Sequence, residues 1–154
     1  MLELDIQNQQ QAVDIPAEKD LQQWATAAFL GDGNAQVSLT VVDAEESRQL
    51  NKNYRHKDKP TNVLSFPMDM PDQLAQTLDQ CLLGDLVVCA AVVDEESRQQ
   101  HKKTEAHWAH MLVHGMLHLQ GYDHIEDDEA EKMEQLEIKI LNQLGFENPY
   151  ESGN

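Results

Sequence analysis

The fold of this chain depends most on one short apolar stretch, LLGDLVV at residues 82–88. Five of its seven residues are Leu or Val, and a polar segment precedes it. Such a short, nearly continuous apolar run is typical of a strand that is buried within the protein core. We therefore expect residues 82–88 to form a buried strand.

Strand and helix patterns alternate on both sides of this stretch. Further strands are predicted at residues 2–6, where apolar and polar side chains alternate, and at residues 37–42 and 62–66, which are rich in strand-forming residues. Apolar spacing and terminal Pro or Gly residues predict helices over 16–30, 44–54, 92–100, 104–120 and 127–144. This interleaving predicts a single layered α/β (α+β) domain over residues 1–154, with one mixed sheet and helices packed on it.

The composition indicates a globular domain with an unusual charge. The 154 residues are 40% hydrophobic and 25% charged, and a chain of this length buries roughly 68–70% of its unfolded surface. The 28 acidic residues outnumber the 11 Lys and Arg residues, for a formal net charge of -17. Such a charge repels phosphates and excludes a general nucleic-acid coat protein, so an RNA substrate would need a local basic region.

The sequence predicts neither a membrane segment nor a secreted protein. Its longest apolar run, residues 86–93, has eight residues, whereas a membrane-spanning helix needs about 20. The N-terminus carries Glu3 and Asp5 where a secretory signal has a basic segment. Cys81 and Cys89 form no Cys-x-x-Cys pair and are expected to be reduced thiols. We expect a cytoplasmic protein without a membrane partner.

Most of the seven histidines lie in or shortly before one run, HGMLHLQGYDH at residues 114–124. In a helix, His114 and His118 project from one face, one turn apart, and can bind one ion through their ring nitrogens. Gly121 can end this helix with a positive φ and turn the chain back, so that His124 becomes a third ligand. Three neutral imidazoles suit Zn²⁺ and leave a fourth position open, as in catalytic zinc sites. We predict one zinc ion per chain.

The rest of this helix agrees with a metal site on one face. Apolar residues cluster opposite His107, His110, His114 and His118, so one face is predicted to be core and the other histidine. For His107 and His110 we expect ordinary solvated or hydrogen-bonded side chains. Position 115 is glycine, where H-E-x-x-H metalloproteases have the glutamate that activates water. The spacing thus reproduces the metzincin ligands without the protease base.

A local basic region lies at residues 48–59. It contains five of the eleven basic residues of the chain: Arg48, Lys52, Arg55, Lys57 and Lys59. Such a segment attracts phosphate, and Arg55 can bind it through two parallel hydrogen bonds. We predict Arg55, Lys57 and Lys59 as substrate-binding residues. For Arg48 and Lys52 we expect a solvated helix face with counter-charges at Glu45 and Glu46.

Three further motifs, together with the histidine run, support a resemblance to a known family that covers nearly the whole chain. They are NYR at residues 53–55, PTNVLSFP at 60–67 and LGD at 83–85. With these motifs the sequence resembles the YbeY family of bacterial metal-dependent endoribonucleases, also described as rRNA maturation factors. The resemblance implies cleavage of single-stranded RNA, maturation of the small-subunit rRNA 3′ end and a part in degrading defective ribosomes. It also implies the ribosome or its proteins as partners, and no DNA.

The resemblance implies the site residues as well. By matching positions, it implies zinc ligands at His114, His118 and His124 and a catalytically important arginine at Arg55, within an α/β fold that has a metal cleft. Asn62 stands where aspartate is usual in the family, so a carboxylate role at this position does not carry over.

For the mechanism we predict phosphodiester hydrolysis or transfer at the metal, with Arg55 and His114 as catalytic residues. The metal would polarise a phosphoryl oxygen or activate water, while Arg55 stabilises the developing charge. Asp85 or Asp123 is expected to orient a ligand histidine. The general base stays open between metal-bound hydroxide, a carboxylate such as Asp85, and none if the RNA 2′-hydroxyl attacks. The acid-rich residues 123–137 are expected to be a solvated helix face.

Two alternatives from other classes stay open. One is a ribosome-assembly factor that binds rRNA without cleaving it, because a motif defines a site and not a reaction. The other is a metzincin-like metal hydrolase that acts on peptides, which would need another residue in place of the absent glutamate.

Overall fold

The structure is a computed structural model that describes residues 2–8, 15–31, 33–68, 81–122 and 126–150. Within these ranges the chain forms four strands and five helices. In chain order they are β1 (Leu2–Asn8), α1 (Glu18–Ala28), β2 (Ala35–Val42), α2 (Ala44–Arg55), β3 (Val63–Pro67), β4 (Cys81–Cys89), α3 (Ala90–Gln99), α4 (Thr104–Leu119) and α5 (Asp127–Gln143). Each predicted element is present, with its ends within two residues of the predicted ones.

The four strands form one mixed sheet in the order β1-β2-β4-β3. Strand β2 is parallel to both β1 and β4, whereas β3 is antiparallel to β4 and lies at the edge of the sheet. The predicted buried strand is the interior strand β4, in which Leu86 and Val88 are buried. The predicted α/β domain with one mixed sheet is therefore confirmed.

Helix α4 packs on this sheet and is buried on most sides. It contacts β3 and β4 as well as helices α1, α3 and α5. Its apolar residues Leu112 and Met116 are buried, but His107 and His110 are also only 3% and 7% exposed. The prediction that only one face of this helix lies in the core is wrong, because α5 covers part of the histidine face.

Gly115 allows α4 to approach the sheet closely. A Cβ atom at this position would lie 2.8 Å from Leu86 Cδ2 and 3.4 Å from Val63 Cγ2. Across the same contact, the Ser65 hydroxyl donates to the Gly115 carbonyl at 3.4 Å. Position 115 therefore faces the sheet, and the packing leaves no room there for the glutamate of a metalloprotease.

Helix α2 has few apolar residues, and buried polar side chains attach it to the segment that follows. Ser47 and Asn51 are both only 2% exposed. The Ser47 hydroxyl donates to the Thr61 carbonyl and accepts from the Thr61 N–H, each at 3.0 Å, and Asn51 Nδ2 donates to the Lys59 carbonyl at 2.8 Å. These bonds hold the segment after α2 against the helix. They thereby fix the position of Arg55, the last residue of α2.

Two smaller sequence expectations concern membranes and thiols. In the part of the chain that the structure describes, no helix is long and apolar enough to cross a bilayer. Cys89 is a free, buried thiol, and burial raises its pKa. The side chain of Cys81 lies outside the described part.

Candidate active site

The last two turns of α4 bring two histidines together. His114 and His118 are half-buried, and their Nε2 atoms are 3.0 Å apart. The helix ends as predicted, since Gly121 has a φ of 97° and the Tyr122 N–H donates back to the Leu117 carbonyl at 3.0 Å. The two rings thus lie one helical turn apart, and the chain turns back after Gly121.

A hydrogen-bond acceptor holds the other nitrogen of each ring. His114 Nδ1 donates to the Glu137 carboxylate, and His118 Nδ1 donates to the Tyr122 carbonyl at 3.0 Å. A neutral imidazole that carries its proton on Nδ1 keeps its lone pair on Nε2. In two neutral rings these partners leave both Nε2 lone pairs facing each other, so a proton or a metal ion shared between the two nitrogens is favourable.

Glu137 of α5 is not among the predicted site residues. Its side chain is fully buried, and it also accepts a hydrogen bond from the Tyr150 hydroxyl. Burial alone would raise the pKa of this carboxyl, but interactions with His110, His114 and Tyr150 outweigh burial and lower the pKa from 4.5 to about 2. Glu137 is therefore a buried anion, and the interpretation of residues 123–137 as a solvated helix face is wrong at this position.

The helical spacing of α5 contains a signal for Glu137. The buried residues of this helix are Met133, Glu137, Ile140 and Leu141, which share one face. A carboxylate within an apolar stripe needs a charged or hydrogen-bonded partner, because an unpaired buried charge is very unfavourable. Such a carboxylate next to a histidine-rich helix predicts a pairing between the two.

The two histidines fit a zinc site. Two Nε2 ligands of a tetrahedral zinc ion, each about 2.0–2.1 Å from it, lie roughly 3.3 Å apart, and the observed separation of 3.0 Å is close to this. Carboxylates and backbone carbonyls are also the usual partners of the second nitrogen of zinc-binding histidines. Among residues 2–8, 15–31, 33–68, 81–122 and 126–150, no group of three or more potential ligands forms a complete site. The third predicted ligand, His124, lies outside these ranges.

The histidine pair lines a cleft of about 570 Å³ that Arg55 also lines. Its walls come from the end of α2, from β3 with the residues before it, and from the end of α4. Ligand pockets commonly have volumes of about 300–1,000 Å³, so the cleft is large enough for part of a nucleotide chain. The structure thus brings together Arg55, His114 and His118, which are distant in the sequence.

The basic segment includes one side chain that is fully engaged in ion pairs. Arg48 binds the carboxylates of Glu45, at 2.6 Å, and of Asp58. The expected counter-charged helix face is confirmed for Arg48, with Asp58 in the place expected for Glu46. Arg48 is therefore held away from any role in the cleft.

The other predicted site residues do not line the cleft. Lys57 and Lys59 are exposed in the turn that follows α2. Asp85 is exposed on β4, and because its neighbour Leu86 faces α4, the Asp85 side chain projects from the opposite face of the sheet. Asp123 lies outside the described residues.

Asn62 belongs to a hydrogen-bond network with Glu96 and His107. His107 Nε2 donates to Glu96 at 2.9 Å, and Asn62 Nδ2 donates to the same carboxylate at 3.1 Å. An aspartate at position 62 would place a second carboxylate against Glu96, whereas the amide supplies a donor. His110 Nε2 lies 3.3 Å from the Tyr150 hydroxyl, so the hydrogen-bonded interpretation is confirmed for His107 and His110.

The fold and the cleft define a class of protein: an α/β domain with a histidine-based candidate metal centre on its central helix. Within this class, residues 5–145 match the family described as "Endoribonuclease YbeY". Because the match covers most of the 154 residues, the chain belongs to the YbeY family. The resemblance drawn from the sequence motifs is therefore confirmed.

Family membership defines the general activity, and one solved structure supports the fold. The family comprises metal-dependent endoribonucleases with a general role in rRNA processing. The solution structure of TM1509 from Thermotoga maritima is similar to this chain, with a TM-score of 0.52 and 24% sequence identity over 98% of this chain and 99% of that one. At this identity the similarity shows the shared fold alone.

Proposed function

We propose that this chain is a zinc-dependent endoribonuclease, one domain over residues 1–154, that cleaves single-stranded RNA. Its proposed tasks are maturation of the small-subunit rRNA 3′ end and quality control of ribosomes. The observation that carries this proposal is the meeting of the His114 and His118 Nε2 atoms in a cleft that Arg55 also lines.

The proposed metal site consists of three histidines and the groups that orient them. His114, His118 and His124 would hold one zinc ion, which supplies Lewis-acid chemistry to a phosphodiester when bound. The Glu137 carboxylate and the Tyr122 carbonyl keep His114 and His118 in the tautomer that offers Nε2. His114 thus acts in catalysis by holding the metal.

The chain's own cations would bind and stabilise the phosphate. Arg55 is exposed on the cleft wall, where its guanidinium can donate two parallel hydrogen bonds to a phosphate and stabilise the charge that develops on it. Lys57 and Lys59 attract flanking phosphates. Asp123 is the proposed candidate for proton transfer, whereas Asp85 projects from the face of the sheet opposite α4.

The peptide-hydrolase alternative would need a water-activating residue other than the one in H-E-x-x-H proteases. Position 115 faces Leu86 and the sheet, so its side chain could not reach the cleft. The alternative of RNA binding without cleavage uses the same surface, and an activity assay separates it from the proposal.

The test is cleavage of a labelled single-stranded RNA by zinc-loaded protein, with and without a chelator. We expect cleavage to require the metal, to disappear together with bound zinc in His114→Ala, and to fall in Arg55→Ala while the zinc content stays unchanged. Arg98→Ala, which removes an exposed arginine on α3, is the matched control and is expected to cleave like the unaltered protein.

Three outcomes would contradict the proposal. Equal cleavage by all preparations would indicate a contaminating nuclease. Binding of RNA that stays intact under every metal condition would favour an assembly factor. Turnover of an unstructured protein substrate that disappears in His114→Ala would favour a peptide hydrolase.

The proposed task also implies a place and partners. An enzyme that matures rRNA works where ribosomes are assembled, so we propose the cytoplasm as its compartment and the ribosome or its proteins as its partners. The formal net charge of -17 supports delivery of the substrate by a partner, because most of the surface repels free RNA.

A further inference from the structure

Tyr54 is the most exposed large apolar side chain in the part of the chain that the structure describes, at 63%. It lies in the last turn of α2 and lines the same cleft as Arg55, His114 and His118. Neither the metal nor the phosphate chemistry proposed above uses an aromatic ring. Because it lines the cleft, the exposed ring of Tyr54 is available to a ligand that has a flat apolar face.

The ring of Tyr54 stands against a second aromatic ring. Its centroid lies 5.0 Å from that of Phe66, with an angle of 70° between the ring planes. In such an edge-to-face pair, one ring presents only its edge, so Phe66 covers at most one face of Tyr54. At least one flat face of Tyr54 is left for another ring to stack on.

Phe66 and the end of α2 are both held in place by the fold. Phe66 is half-buried on the edge strand β3 and pairs with Asp85 of β4, so its ring projects from the face of the sheet opposite α4. The cleft extends past this edge strand, since Phe66 lines it together with His114 and His118. The bond from Asn51 Nδ2 to the Lys59 carbonyl fixes the end of α2 near Tyr54. The two rings therefore form a preorganised surface, which reduces the entropy lost when a ligand binds.

Cations lie next to this aromatic pair. Lys52, Arg55 and Lys57 are exposed on the last turn of α2 or directly after it, while the nearby Asp58 carboxylate is bound by Arg48. This positive surface belongs to a chain with a formal net charge of -17. A stacking ring beside cations matches a single nucleic-acid strand, in which flat bases alternate with phosphates.

We propose that Tyr54 and Phe66 form a stacking platform for one unpaired base of the RNA, whose neighbouring phosphate is bound by Arg55. This inference rests on the proposed function and adds to it the side chains that recognise the base. A base within a duplex is stacked on both faces, so only a base of a single strand can turn out onto the platform. The platform makes the enzyme selective for single strands without reading the edge of a particular base.

The first measurement is the affinity of zinc-loaded protein for a short fluorescein-labelled single-stranded RNA, by anisotropy at low temperature. A gel at the end of each titration shows that the RNA is intact. We expect Tyr54→Ala to weaken binding by roughly 5- to 150-fold, the effect of removing one base-stacking aromatic residue. Tyr54→Phe keeps the ring and should bind like the unaltered protein, as should Leu30→Ala, which removes an exposed apolar side chain outside the cleft.

The second measurement separates base stacking from a general effect on the cleft. An abasic residue is placed at each position of the oligonucleotide in turn. The unaltered protein should lose affinity strongly at one position, and Tyr54→Ala should lose no further affinity at that same position, because its stacking contact is already absent.

The outcomes distinguish this inference from the proposed function. Tight binding of RNA by both the unaltered protein and Tyr54→Ala would overturn the platform and leave the endoribonuclease proposal intact. Loss of affinity in Tyr54→Ala that is the same with every abasic oligonucleotide would also overturn it. Absence of RNA binding and cleavage by the unaltered protein would overturn both proposals.

Discussion

The carboxylate of Glu137 connects α5 to the candidate metal site through one hydrogen bond at each of its two oxygens. One oxygen accepts from His114 Nδ1, and the other accepts from the Tyr150 hydroxyl. The carboxylate thus fixes both the tautomer and the orientation of a proposed zinc ligand. Mutation of a hydrogen-bond partner of a metal-binding histidine typically lowers metal affinity or activity.

We expect Glu137→Gln to lower the zinc affinity roughly 10- to 100-fold. The amide oxygen can still accept from His114, but it carries no negative charge to increase the basicity of the ring. Competition with a chromophoric chelator measures the affinity, and Glu134→Gln, on the exposed side of the same helix, is the control. An unchanged zinc affinity in Glu137→Gln would show that the carboxylate has no positioning role.

His107 makes the stability of the protein depend on pH. Burial lowers its pKa from 6.5, although the hydrogen bond to Glu96 partly opposes this shift. Below about pH 6.5, His107 is protonated in the unfolded state but binds a proton more weakly in the folded state. The free energy of unfolding therefore falls as the pH drops. One group of this kind contributes at most about 1.4 kcal/mol per pH unit.

The corresponding variant is His107→Gln, which cannot be protonated. We expect its free energy of unfolding, from urea denaturation, to fall less steeply as the pH is lowered from neutrality. His101→Gln, which removes an exposed histidine, should retain the original slope. Identical slopes in His107→Gln and the unaltered protein would contradict this reading of the buried ring.

At the scale of elements, α2 depends on buried polar contacts with the segment after it. We expect Asn51→Asp to lower the free energy of unfolding by about 1–3 kcal/mol, because the carboxylate then faces the Lys59 carbonyl without a proton to donate. RNA cleavage should also slow, since the position of Arg55 is no longer fixed. Urea denaturation and cleavage rates measure the two effects.

Asn53→Asp makes the same change of charge at an exposed position of α2 and is the matched control. Equal stability of the two variants would mean that the Asn51 contact does not hold the segment. Equal stability with slower cleavage in Asn51→Asp alone would separate the position of Arg55 from the stability of the helix.

The elements and the histidine pair could be predicted because they depend on local spacing. The end of α4 at Gly121 and the one-turn separation of His114 and His118 are properties of a few consecutive residues. The partner of His114 could not be predicted in this way, because Glu137 lies 23 residues further along the chain. The charge count over residues 123–137 treats all acidic residues of this stretch alike. The structure shows that Glu137 is buried within it.

The contact between Tyr54 and Phe66 has a similar cause. Each residue occurs in a motif that the sequence shows, but the platform exists only because β3 lies beside the end of α2. The position of Asp85 in a buried strand does not show which face of the sheet its side chain occupies. Only the packing of the neighbouring Leu86 against α4 shows this. Side-chain direction across the sheet was therefore the main information absent from the sequence pattern.

At the scale of the whole molecule, a strongly negative protein should bind RNA through few cations. If Arg55, Lys57 and Lys59 contact three phosphates, the logarithm of the binding constant should fall with the logarithm of the salt concentration with a slope of about -2. The double variant Lys57→Gln, Lys59→Gln should reduce the slope to about -0.7. Anisotropy titrations at several salt concentrations provide the slopes.

Lys19→Gln combined with Lys139→Gln is the control for this prediction. It removes two exposed positive charges from other parts of the surface and should leave the slope unchanged. A slope that changes equally in both double variants would indicate a general effect of net charge instead of contacts at the basic segment.

The different partners of the two histidines affect the order in which the site is completed during synthesis. His118 is oriented by the Tyr122 carbonyl, only four residues away, so this half is complete once α4 and its final turn have folded. His114 obtains its partner only when α5 has been made and has docked. Metal binding that needs both rings is then linked to docking of α5, and each stabilises the other. On this basis a nascent chain gains tight metal binding, and with it the proposed nuclease activity, only after α5 has been made and has docked.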